Sequence, residues 1–328
     1  EASRNKGIQM VGVIDSHVPA VQEEIKHLIQ SGKAVELSNG GIRFEQVTLL
    51  LGSEIEIYDD NCRGPIHVLC FIPTLEKMAL FTDWLSERMT NIHLSSQRYY
   101  GDAKELQYKT KELSGLFIPA HVFTPFKSLY GKGVKQSLSE VFDPDLIDGI
   151  ELGLSSDTSM ADQISELQRY SFLTNSDAHS LAKIAREYQS IKMDEPSFQE
   201  FYLALHRSEG REVLQNYGMN PQLGKYYTTV CNQCGESLTM GDSVCPKCGS
   251  RKIINGVADR INQLKDRESD AGERPPYLHQ VPLEYLPSLG PKTYQKLLSH
   301  FQTEMNIIHH VPYETLIKVV PEKLASMI

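Results

Sequence analysis

Along the first two thirds of the chain, short apolar runs alternate with stretches whose apolar positions recur every three or four residues. The runs "IQMVGVI", "VTLLLG", "IHVLCFIP", "GLFIPAHV", "IDGIELGL" and "YSFLTNS" predict strands. The amphipathic segments "PAVQEEIKHLIQSG", "LEKMALFTDWLSERMTNI" and "MADQISELQRY" predict helices. Strands that alternate with helices imply parallel βαβ units, closed as a barrel or left as an open sheet. "EPSFQEFYLALHRSEG" predicts a last helix of this unit. A compact insert, "KYYTTVCNQCG…CPKCGSRKI", follows, then a short helix, "GVADRINQLKD". The polar segment "RESDAGERPP" reads as a linker to a small helical tail. The expected division is therefore 1–224, 225–256 and 257–328.

Composition adds little until it is placed along the chain. Of 328 residues, 40% are hydrophobic and 23% charged, as in ordinary globular proteins. The net charge of −9 argues against a generic polyanion binder. Residues 226–328, however, hold 11 basic and 11 acidic side chains, so the excess of acid lies wholly in the first part. An acidic barrel suits cations, and the neutral tail is the better candidate for contact with nucleic acid. No apolar run is long enough to cross a bilayer, and the first residues lack a basic-then-apolar signal layout, so a cytoplasmic protein without membrane contact is expected. The opening "EASRNKG" reads as the back half of a helix, so further residues are expected before Glu1.

Chemistry enters at the strand ends. "VGVIDSH" closes a strand with Asp15 and His17, "LLLGSEIEI" carries Glu54, "IHVLCF" His67, "FIPAHVF" His121, and "FLTNSDAH" Asp177 and His179. In an α/β barrel the carboxyl ends of the strands converge on one face, so these seven side chains are expected to meet. Carboxylates and imidazoles together suit divalent transition ions such as Zn2+ or Mn2+ better than Ca2+. Ions clustered about 3.5–4 Å apart can activate water and clamp a phosphate. Glu54, Asp177 and His179 are expected to carry catalysis. Glu151, in "GIELGLSSD", is an outside candidate, and Glu56 and Asp59 read as solvated.

Taken together, "GVIDSH", "LGSEIE", "IHVL", "PAHVFTP" and "TNSDAH" resemble successive motifs of the polymerase and histidinol phosphatase (PHP) superfamily. The resemblance implies an α/β fold, a PHP-type distorted (β/α)7 barrel with a phosphoesterase centre of two or three metals. PHP proteins open with a strand bearing HxH. No HxH occurs in this chain, so that strand is expected to be absent and the remaining ligands to bind one or two ions.

Cys231, Cys234, Cys245 and Cys248 stand as C-x2-C-x10-C-x2-C, each pair followed by glycine, which predicts a closed four-thiolate structural Zn2+ site. Arg251 and Lys252 follow it and can meet phosphate. In the tail, Leu289-Gly290-Pro291-Lys292 lies between two apolar-patterned segments and resembles a helix–hairpin–helix motif, which offers backbone N–H groups to a DNA phosphate. The pattern repeats, with Pro321 and Lys323 in the places of Gly290 and Lys292. Ser288 stands where such a hairpin usually has glycine, and Pro321 removes an N–H from the second unit, which is expected to be structural.

The order of barrel, four-cysteine ribbon and small all-α helix–hairpin–helix domain resembles the endonuclease Q family. That resemblance implies a DNA repair endonuclease that hydrolyses the phosphodiester 5′ of uracil, hypoxanthine, xanthine or an abasic site. Its partner would be double-stranded DNA with a damaged base, and its catalytic ions Zn2+, Mn2+ or Mg2+. Phe123, Phe126 and Tyr130 are expected either to wall a base pocket or to pack in the core. Two other readings stay open: a PHP-family phosphatase acting on a small monoester, and a non-catalytic DNA-binding protein.

Overall fold

The computed structural model describes residues 1–239, 241–270 and 274–328. After a short helix, α1 (Ala2–Lys6), the chain enters β1 (Met10–Val13) and α2 (Pro19–Gln30), whose first residue is a proline where no N–H is needed. Three strands follow, β2 (Ala34–Glu36), β3 (Ile42–Phe44) and β4 (Val47–Ile57), and then β5 (Ile66–Ile72). Thr74 caps α3 (Leu75–Ser86), β6 (Arg98–Tyr99) is a brief strand, and Asp102 caps α4 (Ala103–Glu112) before β7 (Leu116–Pro119).

These strands form one curled seven-stranded sheet around β4, which pairs with β1 and β6 in parallel and with β3 and β5 antiparallel. The parallel units expected from the alternation thus hold at β1/β4, while β5 runs against both β4 and β7. The reason is local: only residues 58–65 join β4 to β5, too few for a crossover helix.

The period of two along these strands places a core on each side of the sheet. Leu51, Ile55, Val68, Cys70 and Phe117 face the larger core with Phe81 and Phe142. Leu50, Leu69, Phe71, Leu116 and Ile118 face the smaller one, with Phe198 and Phe201. Glu54, Glu56 and His67 continue this second face, since Glu56 stands opposite His67 and Glu54 opposite Leu69. One sheet face is therefore apolar at one end and acid and imidazole at the other.

The remainder of the barrel comprises β8 (Gly149–Glu151), α5 (Thr158–Ala161), β9 (Ser171–Leu173), β10 (Tyr188–Lys192), α6 (Phe198–Leu205) and β11 (Glu212–Gly218). β8 and β9 pair in parallel, and β10 and β11 antiparallel. The helix expected over "MADQISELQRY" is only α5 and a later 3₁₀ turn. Its continuation is taken by other partners: the Gln163 carbonyl accepts from the N–H groups of Asp266 and Arg267 at 3.1 and 3.3 Å.

The ribbon is a two-stranded ladder of β12 (Val230–Cys231) and β13 (Ile253–Ile254). After it, α7 (Val257–Leu264) sends Val257 and Ile261 into the larger barrel core. Arg260 on α7 donates to the carbonyls of Tyr130, Val134 and Lys135. The "RESDAGERPP" segment, of which 271–273 lie outside the described residues, is no free linker. Asp162, almost fully buried, accepts from Arg267, Ser269, the Asp270 N–H and Arg274, and so ties the segment to the barrel wall. It ends in β14 (Tyr277–His279), which joins β11 in parallel.

The tail contains α8 (Pro291–Phe301), α9 (Glu304–His310), α10 (Tyr313–Leu316) and α11 (Glu322–Ala325) around a core of its own, with Leu283, Leu297, Ile307, Leu316 and Leu324. It docks on the barrel through a buried ion pair, Lys6 Nζ to Glu304 Oε2 at 2.8 Å, and through Lys183 to Glu284 at 2.8 Å.

Candidate metal centre and nucleic-acid face

Three of the strand-end residues converge. Glu54 on β4, His67 on β5 and His121 just past β7 place one ligand atom each within 4.8 Å of one another. His67 Nδ1 lies 3.3 Å from Glu54 Oε1, and the two imidazole rings meet edge to face at 5.3 Å. His67 Nε2 is buried without a hydrogen-bond partner. Ligands bound at about 2.1 Å to one ion stand at most about 4.2 Å apart, so a small closure brings all three onto one ion. A buried imidazole with an open nitrogen beside a carboxylate fits a divalent ion.

The electrostatics favour the ligand form at His67 and the protonated forms at His121 and Glu54. Burial, with His121 and Lys127 nearby, holds His67 down to about 4, so its ring is neutral at neutral pH. Burial also disfavours a charged His121, yet Glu151, Glu54 and Asp177 outweigh it and its pKa is raised. Glu54 is raised by burial, against a hydrogen bond from Ser96 Oγ at 2.6 Å. Glu56 shares the strand face but is already paired, with Arg98 at 2.6 Å and Lys127 at 2.9 Å. It is buried, not solvated as expected.

The other expected ligands are placed differently. Asp15 lies two residues past β1, forms a backbone bridge with Ser53 and accepts from the Ser95 hydroxyl. His17 is fully buried with its Nε2 3.3 Å from the Leu94 carbonyl oxygen, and its Nδ1 has no partner. Asp177 takes a left-handed backbone, φ 42°, and is close enough to Glu54 and His121 to act on their charge. The His179 side chain is 87% exposed, with Nδ1 3.1 Å from the Asp177 carbonyl oxygen, and is not brought to the cluster.

Glu151, the outside candidate, stands directly behind His121. It is buried, accepts from the His121 N–H at 2.8 Å and from Asn175 Nδ2 at 2.8 Å, and lies 3.4 Å from His121 Nδ1. The signal was an acid inside the apolar strand "GIELG", since an unpaired buried carboxylate is costly. Of the three aromatics near His121, Phe123 and Tyr130 stack in the core at 5.3 Å. Phe126 is 45% exposed and meets Tyr226 edge to face.

In the ribbon, Cys231 and Cys248 sulfurs lie 3.6 Å apart, as do those of Cys234 and Cys245. Four sulfurs at about 2.3 Å from one ion would be about 3.8 Å apart, so the cage fits Zn2+. The Cys234 N–H helps hold the Cys231 thiol down to about 6, which favours the thiolate. Arg251 and Lys252 are exposed at its foot. In the tail, Gly290 is the N-cap of α8 with open space around its Cα, and Lys292 is exposed on the first turn. Ser288 adopts φ 72°, the left-handed conformation that explains the usual glycine. Pro321 occupies the equivalent N-cap of α11. Among the described residues, no helix is long and apolar enough to cross a membrane.

No protein-family model matches the chain. The uncharacterized protein YqxK of Bacillus subtilis is 54% identical over 328 residues, covering all of this chain and 85% of that protein. The uncharacterized protein MJ0043 of Methanocaldococcus jannaschii is 32% identical over 228 residues, 61% of this chain and 28% of its own length. Among solved structures, the lesion-specific endonuclease PfuEndoQ of Pyrococcus furiosus superposes with a TM-score of 0.86 at 30% identity, over 99% of this chain and 82% of that one. Endonuclease Q in complex with a 27-mer duplex bearing an abasic lesion at the active site gives the same score and identity, over 99% and 84%.

Proposed function

The chain belongs to the endonuclease Q family, and from that membership we propose that it is a DNA repair hydrolase cutting the phosphodiester 5′ of a damaged nucleotide. Uracil, hypoxanthine, xanthine and abasic sites are its proposed lesions. The observation that carries this reading is the cluster of Glu54, His67 and His121 in a chain similar from end to end to an enzyme held on an abasic duplex.

Glu54, His67 and His121 would hold a divalent ion, Zn2+, Mn2+ or Mg2+, with Asp15, His17, Asp177 and His179 as further proposed ligands. Such an ion supplies Lewis acidity at phosphorus and activates water. The chain's own side chains fix the geometry around it. The hydroxyls of Ser96 and Ser95 orient Glu54 and Asp15. Lys127 and Arg98 keep Glu56 occupied, so it does not compete for the ion. Lys127, half exposed beside the cluster, adds positive charge for an incoming phosphate. Cys231, Cys234, Cys245 and Cys248 would hold one Zn2+ and fix the ribbon. Arg251, Lys252, Lys292 and the N–H groups beside Gly290 would hold DNA phosphates. The division into barrel, ribbon and tail is part of this proposal, with the tail's own core beginning near Leu283.

The test is cleavage of end-labelled duplexes carrying one uracil or hypoxanthine, with Mg2+ or Mn2+, against an undamaged control. The expected result is a single nick 5′ of the lesion, lost in His67→Ala and reduced in His179→Ala. Release of phosphate from a small monoester with intact DNA would instead make the protein a phosphatase. Tight lesion binding without any cut would make it a binding protein.

A further inference from the structure

Loops beside the metal cluster carry exposed apolar side chains. Three loops around it expose large apolar side chains: Leu94 (51% exposed) beside Ser95 and Ser96, Phe126 (45%) after His121, and Leu181 (74%) after His179. Two of these have nearby support. Phe126 packs on the Tyr226 ring and lies under the Lys132 ammonium, at 5.3 and 5.8 Å. The Leu94 carbonyl oxygen faces His17.

Among the described residues Leu181 is the most exposed large apolar side chain, yet its backbone is clamped. It opens a 3₁₀ turn, Leu181–Lys183, after Ser180. On one side Arg186 donates to the carbonyls of Ser176 and Asp177 at 2.7 and 3.0 Å. On the other, Lys183 donates to Glu284 Oε1 at 2.8 Å and to the Tyr285 hydroxyl at 2.6 Å, and its ammonium sits 4.1 Å from that ring's centre. Both cations of the loop are spent on holding it. What the loop offers outward, between the metal cluster and the tail, is a fixed apolar tip.

A loop meant to hold phosphate would keep its cations outward. An apolar tip suits the flat faces of bases. Turning a nucleotide out of a duplex leaves a gap in the stack, and proteins that open stacks fill such gaps with leucine, isoleucine, methionine or phenylalanine. We propose that Leu181 is this wedge: it enters the stack at the lesion and holds open the space left by the nucleotide turned toward Glu54, His67 and His121. The inference rests on the endonuclease reading above and makes Leu181 a positioning residue, since it touches no reacting atom.

A wedge helps only where stacking and pairing must be broken. Leu181→Ala is therefore expected to slow nicking of a fully paired uracil duplex by on the order of tenfold. With the same uracil in an unpaired bubble, the variant should match the wild-type protein within about twofold, because the opening cost is already met. Leu181→Phe should keep most of the paired-duplex activity. The side chain is largely exposed, so the melting temperature of Leu181→Ala should not move and a folding defect is separable. Unchanged activity on the paired duplex, or an equal loss on paired and bubble substrates, overturns the wedge. Wild-type protein that nicks neither substrate overturns the endonuclease reading instead.

Discussion

The ribbon and the strand-end cluster are built in opposite ways. The ribbon's four thiolates come from one short stretch, Cys231 to Cys248, and two knuckles bring them together. Among the described ribbon residues, Val230 and Ile254 are the buried apolar side chains besides Cys231 and Cys245, so a bound ion would supply most of the folding free energy. The cluster draws Glu54, His67 and His121 from three elements, with Glu151 behind His121 from a fourth. There the barrel is folded by its two cores, and an ion would find its proposed ligands already placed. A local site depends on its metal for structure, and a dispersed site depends on structure for its metal.

The largest expected effect separates the two by metal removal. Cys245→Ser, or a strong chelator acting on the wild type, should cost the ribbon its Zn2+ and with it binding free energy on the order of 10 kcal/mol. Amide exchange over the ribbon should become fast while the barrel's thermal transition persists. His67→Ala should do the reverse, lowering nicking by about 100-fold or more with the ribbon's zinc content unchanged by metal analysis. A Cys245→Ser protein that retains its zinc and ribbon protection would break the comparison.

A smaller effect tests how far the barrel depends on distant contacts. Asp162→Ala would leave Arg274 buried without its carboxylate partner and release the segment from 266 to 270. A loss of about 3–5 kcal/mol is expected. It should appear as a lower midpoint in chemical denaturation, with zinc content unaffected.

The smallest effect per step, a slope read over each pH unit, sharpens the electrostatic side. Glu187 is buried, one carboxylate oxygen has no partner, and burial raises its pKa to about 9 from an ordinary 4.5. Between those values the folded protein keeps a proton that the unfolded chain releases. Stability therefore falls as pH rises through that window, by at most about 1.4 kcal/mol per pH unit. Glu187→Gln should flatten this slope between pH 5 and 9 and raise the melting temperature most at the alkaline end. A slope equal to the wild type's would show that the carboxyl is ionised in the fold.

The sequence by itself determined what depends on short range. Periodicity located β1, β4, β5, β7, α2, α3 and the tail, because burial of one face imposes its spacing on the residues. The cysteine spacing defined the ribbon cage, because a knuckle is a local turn. The tertiary structure decided what depends on distant partners. It ran β5 antiparallel because its connection was too short to cross over. It ended α5 early because residues 266 and 267 took the Gln163 carbonyl. It made Asp162 a hub that fastens the expected linker, and it brought Glu151 behind His121. It also turned His179 outward and kept His17 inside. A side chain's chemistry can be read from its type, but its partners are set by how distant elements pack, and no pattern of neighbours along the chain carries that information.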